Sequence, residues 1–166
     1  EGTTILSTIA QGQDITGRKI AEAENIRARE EWEQTFNTVP DLIAILDPHH
    51  RIIRVNKAMA DRLGTTPDQC IGKRCHEAVH GTSVPPDFCP HAKTCADGRQ
   101  HIAEVHEPGL GGTFIVSTTQ MADRSATLMG TVHVAHDITD RKRAEEELRQ
   151  QHRDLSAAYE KIASTQ

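Results

Sequence analysis

Asp137-Ile138-Thr139-Asp140-Arg141-Lys142 repeats, with one residue changed, the segment Asp14-Ile15-Thr16-Gly17-Arg18-Lys19 that lies 123 positions earlier. Each copy closes an apolar stretch, Val132 to Ala135 and Ile5 to Ala10, and each opens a charged segment rich in Ala and Glu. A period of this length is one domain plus its connector. The chain therefore reads as a cut from a tandem array, running from the last strand of one unit to the helix that leaves the next. Asp and Thr stand where strand gives way to helix, and both can accept hydrogen bonds from the unpaired amides of a first helical turn. Such a junction couples sheet to helix stiffly. Neither copy is followed by the Gly/Ser-rich stretch that would insulate the units.

Working back from the second junction, Ile102 to Glu107, Thr113 to Met121 and Thr127 to His136 read as three strands, with Pro108-Gly109 and Gly111-Gly112 marking the first turn. Further back, Leu42 to Leu46 and Arg51 to Val55 form a hairpin across Asp47-Pro48-His49-His50. Between the two strand groups the spacing predicts short helices: Asn56 to Gly64, a turn opened by Thr66 and Pro67, Ile71 to His80 stopped by Gly81, and Pro90 to Ala96 ended by Gly98. Long helices bracket everything. Arg18 to Thr38 holds no Pro and is dominated by Ala, Glu and Arg, with Trp32, Phe36 and Val39 on one face. Ile138 to about Ile162 carries Leu148, Leu155 and Ile162 at heptad spacing, a short coiled-coil seam weakened by Gln151. Two strands, short helices, three strands and two end helices make an α+β domain with five antiparallel strands and helices segregated to one face.

The strand order, Asn56-Lys57-Ala58 after the second strand, and the closing Asp-Ile-Thr together resemble the PAS domain family over roughly positions 30–143. The resemblance implies a five-stranded antiparallel PAS sheet flanked by N- and C-terminal signalling helices. It divides the chain into the end of a preceding PAS unit (1–17), a linker helix (18–39), the PAS domain (40–137) and a coiled-coil signalling helix (138–166). It also implies that Asp137, Ile138 and Thr139 form the exit from the last strand into the signalling helix. Tandem PAS units joined by helices resemble the sensory half of histidine kinases and diguanylate cyclases. No part of the sequence resembles a kinase core or a cyclase, so the segment is expected not to be an enzyme, whereas its parent could be a sensor histidine kinase of a two-component system.

The bulk properties narrow the classes. At 166 residues there is room for one domain with a core plus helical arms. A net charge of -5, with Arg and Lys alternating with Glu along the arms, gives no basic patch for nucleic acid. No apolar run reaches membrane-spanning length, and the first residues form no signal peptide, so no direct membrane contact and a cytoplasmic setting are expected.

The chemistry-bearing residues gather in the short-helix region, where the resemblance puts the wall of a cavity. Cys75, His80, Cys89 and Cys95 are the metal or redox candidates. Three thiolates and one imidazole would suit tetrahedral zinc, an iron–sulfur centre, or a reversible disulfide. Buried inert thiols are the competing reading, and Cys70, with no His within one turn, belongs there. No spacing is C-x-x-C, and the absence of C-x-x-C-H removes the usual haem attachment; haem on a strand histidine (His106, His133 or His136) ranks below zinc or iron–sulfur. His76-Glu77-Ala78-Val79-His80 matches H-E-x-x-H, but its continuation lacks the extended metzincin spacing, and Glu104, at a possible gluzincin distance, falls on a strand. No cofactor is fixed by these residues.

The function expected is a sensory and dimerisation module that relays a ligand or redox signal through Asp137–Thr139 to the helix beyond. Leu148, Leu155 and Ile162, with Trp32 and Phe36, would form the seam of a homodimer, and neighbouring PAS and output domains of the parent would be the other partners. A switch centred on Cys75, Cys89 and Cys95, or a passive relay between PAS units, are the alternatives.

Overall fold

Alternation in Leu42-Ile43-Ala44-Ile45-Leu46 sets the inner face of the sheet: Leu42, Ala44 and Leu46 are buried, while the two isoleucines between them are half-buried. In the computed structural model, residues 15–163 are described. The chain divides into two units, one ending at Phe36 and the other starting at Asn37. The residues expected to end a preceding unit, 1–17, lie outside the described part up to residue 14.

In the first unit, α1 (Thr16–Thr38) buries no side chain. It is held by its own i,i+4 pairs, Arg27 with Glu31 at 2.9 Å and Arg29 with Glu33 at 3.2 Å, and by the stacking of Trp32 on Phe36 at 4.9 Å. Exposed pairs of this kind add only about 0.2–0.5 kcal/mol each.

The second unit holds β1 (Leu42–Leu46), β2 (Ile52–Val55), α2 (Lys57–Arg62), α3 (Pro67–Cys70), α4 (Cys75–His80), α5 (Pro90–Asp97), β3 (His101–Glu107), a short 3-10 turn (Pro108–Leu110), β4 (Gly112–Ala122), β5 (Leu128–Asp137) and α6 (Thr139–Ala163). The strands form one antiparallel sheet in the order β2-β1-β5-β4-β3. Register places Ala44, His133 and Thr118 side by side across β1, β5 and β4. Directly paired residues share a face, so these three look toward the same side as buried Leu42 and Leu46. The core there is Leu42, Leu46, Ile52, Val55, Met59 and Phe114 with their neighbours.

One expected helix is shorter than its pattern suggests. The pattern from Ile71 to His80 predicts a continuous helix, but only Cys75–His80 is helical. Gly72 takes a positive φ of 81°, and residues 72–74 pair with β2 instead: Gly72 N–H donates to Ile52 O and Ile52 N–H to Lys73 O. Sheet hydrogen bonds to a glycine-released backbone outweigh local propensity. Gly81 and Gly98 do end α4 and α5 in the left-handed conformation.

Asn56 ties the hairpin to the helices. Fully buried, it caps α2 through Met59 N–H at 3.0 Å and also accepts from Ile43 N–H at 3.0 Å. Its amide donates to Val39 O and Asp41 O at 3.1 and 2.8 Å. That uses its hydrogen-bonding capacity in full.

Candidate functional site

Between the inner face of the sheet and helices α2, α4 and α5 lies a cavity of about 70 Å3. One water needs only ~10–15 Å3 measured this way. Leu42, Met59, Val79, Val105, Leu110 and Phe114 make most of the wall apolar; Cys75, Cys89, His80, Glu107 and His133 also line it. His80 Nδ1 pairs with the Glu107 carboxylate. Glu107 is itself buried and accepts from Gly109 N–H at 2.9 Å, capping the 3-10 turn. A buried carboxylate needs such partners. His80 is therefore held at the β3 side of the cavity, and Val79 and the turn come with it.

The thiols meet a set of imidazoles. Burial, reinforced by Cys89, pushes the Cys75 thiol up to about 12. Burial also raises Cys95, with Cys89 and Asp47 adding to it. Both stay protonated near neutral pH, unlike the activated thiolates of reactive cysteines. Cys95 Sγ rests 3.6 and 3.8 Å from the two ring nitrogens of His91, one helical turn back on α5. His91 is fully buried, and its Nδ1 lies 2.6 Å from Thr131 Oγ1 on β5. Its ring meets His50 at 4.3 Å and His133 at 5.0 Å between centres, and His50 in turn meets His76 at 5.6 Å. Burial depresses His91 to about 4 and His133 to about 3, and lowers His50 as well. These rings are neutral at physiological pH.

Among the described residues, the sealed side-chain nitrogens and oxygens without a hydrogen-bond partner are both ring nitrogens of His76 and Nε2 of His133. Leaving a buried polar group unpaired costs about 1–3 kcal/mol. His76 and His133 stand at the two ends of a row of imidazoles that runs through His50 and His91. Among the described residues, no three His, Cys, Asp or Glu side chains stand as a ready-made metal-holding group.

The expected exit junction is tightly bonded. Ile138 is buried and donates its N–H to Thr113 O at 2.9 Å. Asp137 Oδ1 accepts from Thr139 N–H at 2.9 Å, while Thr139 Oγ1 accepts from Thr113 N–H at 2.9 Å. Arg62 closes the arrangement: Nη2 donates to Asp137 Oδ2 at 2.8 Å, Nε donates to Leu110 O at 2.5 Å, and the guanidinium sits 5.4 Å from the centre of the Phe114 ring. Hydrogen bonds from Thr139, then the Arg62 contacts, hold the Asp137 carboxyl below its usual range. Leu110 and Phe114 are cavity wall, so one side chain spans from the cavity to the start of α6. Farther along α6, Leu148, Leu155 and Ile162 are 68%, 57% and 62% exposed.

A family model for the PAS fold matches residues 36–143. The chain belongs to the PAS family. Solved PAS domains share its fold. That of an HTR-like protein from Haloarcula marismortui is 16% identical with a TM-score of 0.54, over 72% of this chain and 99% of that one. A PAS domain from Colwellia psychrerythraea is 19% identical with a TM-score of 0.52, over 68% and 98%. The PAS domain of Bordetella pertussis BvgS is 20% identical with a TM-score of 0.52, over 78% and 98%. No curated protein is similar enough to this chain to count as a relative.

Within this PAS domain, Cys75, His80 and Cys89 share the cavity wall, while Cys95 lies against His91. Cys70 is buried in the core. Of the three strand histidines, His133 reaches the cavity; His136 is exposed and pairs with Asp41 at 2.7 Å, and His106 is exposed beside Thr113 Oγ1 at 3.1 Å. The sequence alone does not single out His50, His91 and Arg62. Their signal was weak: ten histidines are spread along the chain, and only folding brings a turn, two helices and a central strand together. No helix among the described residues is long and apolar enough to cross a membrane.

Proposed function

We propose that this chain is a sensory and dimerisation PAS module, in which occupancy of the cavity is relayed through Asp137, Ile138 and Thr139 to α6. The observation that carries this reading is the Arg62 span from Leu110 and Phe114 in the cavity wall to Asp137 at the root of α6. A ligand that shifts Phe114 or Leu110 changes the position of the guanidinium, and with it the carboxylate that caps the first turn of the helix. Only differential affinity is required: tenfold tighter binding to one state moves the equilibrium by about 1.4 kcal/mol. The open cavity supports a ligand-responsive domain over a passive relay, whose core would be filled. Leu148, Leu155 and Ile162 offer a seam to a second copy, and Trp32 and Phe36 offer a further apolar stack on α1. A homodimer would place two such helices in reach of a neighbouring PAS or output domain. A sensor histidine kinase is the parent that suits this arrangement, with the catalysis elsewhere in it.

The test is amide hydrogen exchange in Arg62→Met. Exchange at Thr139 to Arg143 is expected to rise by about tenfold, while the β1 and β5 amides change little. Unchanged exchange at the first turn of α6 would remove the relay.

A further inference from the structure

The cavity behind the sheet shows a ligand almost nothing but hydrocarbon. Leu42, Ala44, Met59, Val105, Leu110 and Phe114 are buried around it, and its open surface is nearly all apolar. The polar side chains of the wall are engaged, sealed or uncharged. Glu107 pairs with His80 and accepts from Gly109 N–H. His133 Nε2 is sealed, out of a ligand's reach, and burial depresses the His133 ring to about 3, which leaves it neutral. The Cys75 thiol, pushed up to about 12 by burial, acts as a small apolar group. A volume of about 70 Å3, at ~10–15 Å3 for one water, has room for about five to seven heavy atoms. We propose that the cavity is a receptor for one small, uncharged, hydrocarbon-like molecule of about five heavy atoms, and that it rejects hydroxylated and charged analogues of the same length.

The selectivity follows from what burial costs. A hydroxyl brought in without a partner forfeits its bonds to water, and a carboxylate or ammonium forfeits far more. A carboxylate beside β3 would also face Glu107, while an ammonium would compete with His80 and Gly109 for oxygens already served. The wall is firm where the 3-10 turn meets α4, since a Cβ on Gly109 would overlap Val79 O at 2.3 Å. It is looser at Phe88. Of the lining residues only Phe88 is exposed, at 47%, so its ring, edge-on to His80 at 5.9 Å, marks the mouth. A molecule that fills the cavity packs against Leu110 and Phe114, the two residues that Arg62 holds through Leu110 O and over the Phe114 ring. That this molecule is a signal rests on the sensor reading; the selectivity of the cavity stands without it.

The experiment follows the methyl resonances of Leu42, Val79, Val105 and Leu110 in the 166-residue chain during titration with n-pentane, 1-butanol, butyrate and butylammonium. The expected result is saturable binding of n-pentane, with affinity rising about fourfold per methylene from propane to n-pentane. 1-Butanol should bind at least about tenfold more weakly than n-pentane, and the two ions should leave the methyls unmoved. Ala135→Leu, which fills the cavity from β5, should abolish n-pentane binding, while the exposed Ile102→Ala should not change it. The absence of a saturable n-pentane shift, or 1-butanol bound as tightly as n-pentane, overturns the proposal; the second result would mean that a polar wall atom turns inward. Should Ala135→Leu fail to fold, the ranking of the four probes on the unaltered chain decides. Hydrogen exchange at Thr139 to Arg143 with and without n-pentane then separates the two claims. Binding with no change there leaves the receptor standing and rejects its role as a signal, and the Arg62→Met exchange test decides the relay whichever way the titration falls.

Discussion

Asn56 carries more of the fold than its size suggests, because the four hydrogen bonds of its side chain tie the main chain of residues 39–43 to the first turn of α2. Replacing it with Ala leaves Ile43 N–H, Met59 N–H and two carbonyls unserved inside the core, and removes a helix cap. The expected loss is about 2–4 kcal/mol, measured as a drop in the urea midpoint; a loss of a few tenths would show that water replaces the side chain. The histidines give a second residue-scale prediction. In the folded chain His91 and His133 gain a proton only near about 4 and about 3, against an ordinary value of 6.5. The unfolded chain therefore binds more protons throughout that interval, so stability is complete above about pH 6.5 and declines as pH falls below it. The depressed Asp137 carboxyl adds a further loss below the ordinary carboxylate range. Urea midpoints should hold between pH 7 and 8.5 and fall steadily from 6.5 toward 4.5. A flat profile would mean that the rings are solvated.

The elements show why the junction tolerates so little change. Gly112 opens β4 at the point where a Cβ would overlap Thr139 Oγ1 and crowd Arg62. Gly112→Ala must displace Thr139, break its bond to Thr113 N–H, or move the guanidinium; overpacking of this kind costs about 1–3 kcal/mol. Thermal melts should report the loss, and hydrogen exchange should locate it at the root of α6 instead of in the β1–β2 hairpin. An exchange pattern unchanged at the root would place the strain elsewhere. The sheet was legible in the sequence because its signal is local. Leu42 to Leu46 alternates, glycines and prolines bound the later strands, and the repeated Asp-Ile-Thr marks the last exit. Local signals misjudged Ile71 to Arg74, where a glycine and the β2 edge outweighed helical pattern. The cavity group was legible only in part. Cys75, Cys89 and Cys95 drew notice through proximity in sequence. His50 and His133 are joined to His91 by tertiary contact alone, and His80 is tied to Glu107, 27 residues on, by the need to pair a buried carboxylate.

At the scale of the molecule, α6 is a 25-residue helix with no buried side chain in the single chain. Isolated helices gain little from propensity, and packing of an apolar face supplies most of their stability. The seam at Leu148, Leu155 and Ile162 is short and contains Gln151, so the expected pairing is weak and readily biased. Leu155→Arg should turn a concentration-dependent dimer into a monomer by sedimentation equilibrium, with the PAS core melting as before. A dimer that survives this change would have to form elsewhere. Arg153 bonds Glu146 at 2.7 Å and Arg141 lies 3.6 Å from Glu145 within one helix. Such exposed pairs contribute about 0.2–1 kcal/mol at most and leave the apolar residues to decide association. The most direct test of the coupling is the distance between the two α6 helices, read by pulsed electron resonance from spin labels carried on a noncanonical residue at position 152, with the native cysteines untouched. The relay predicts that Arg62→Met shifts or broadens that distance distribution while the dimer persists. Identical distributions in the two proteins would contradict it.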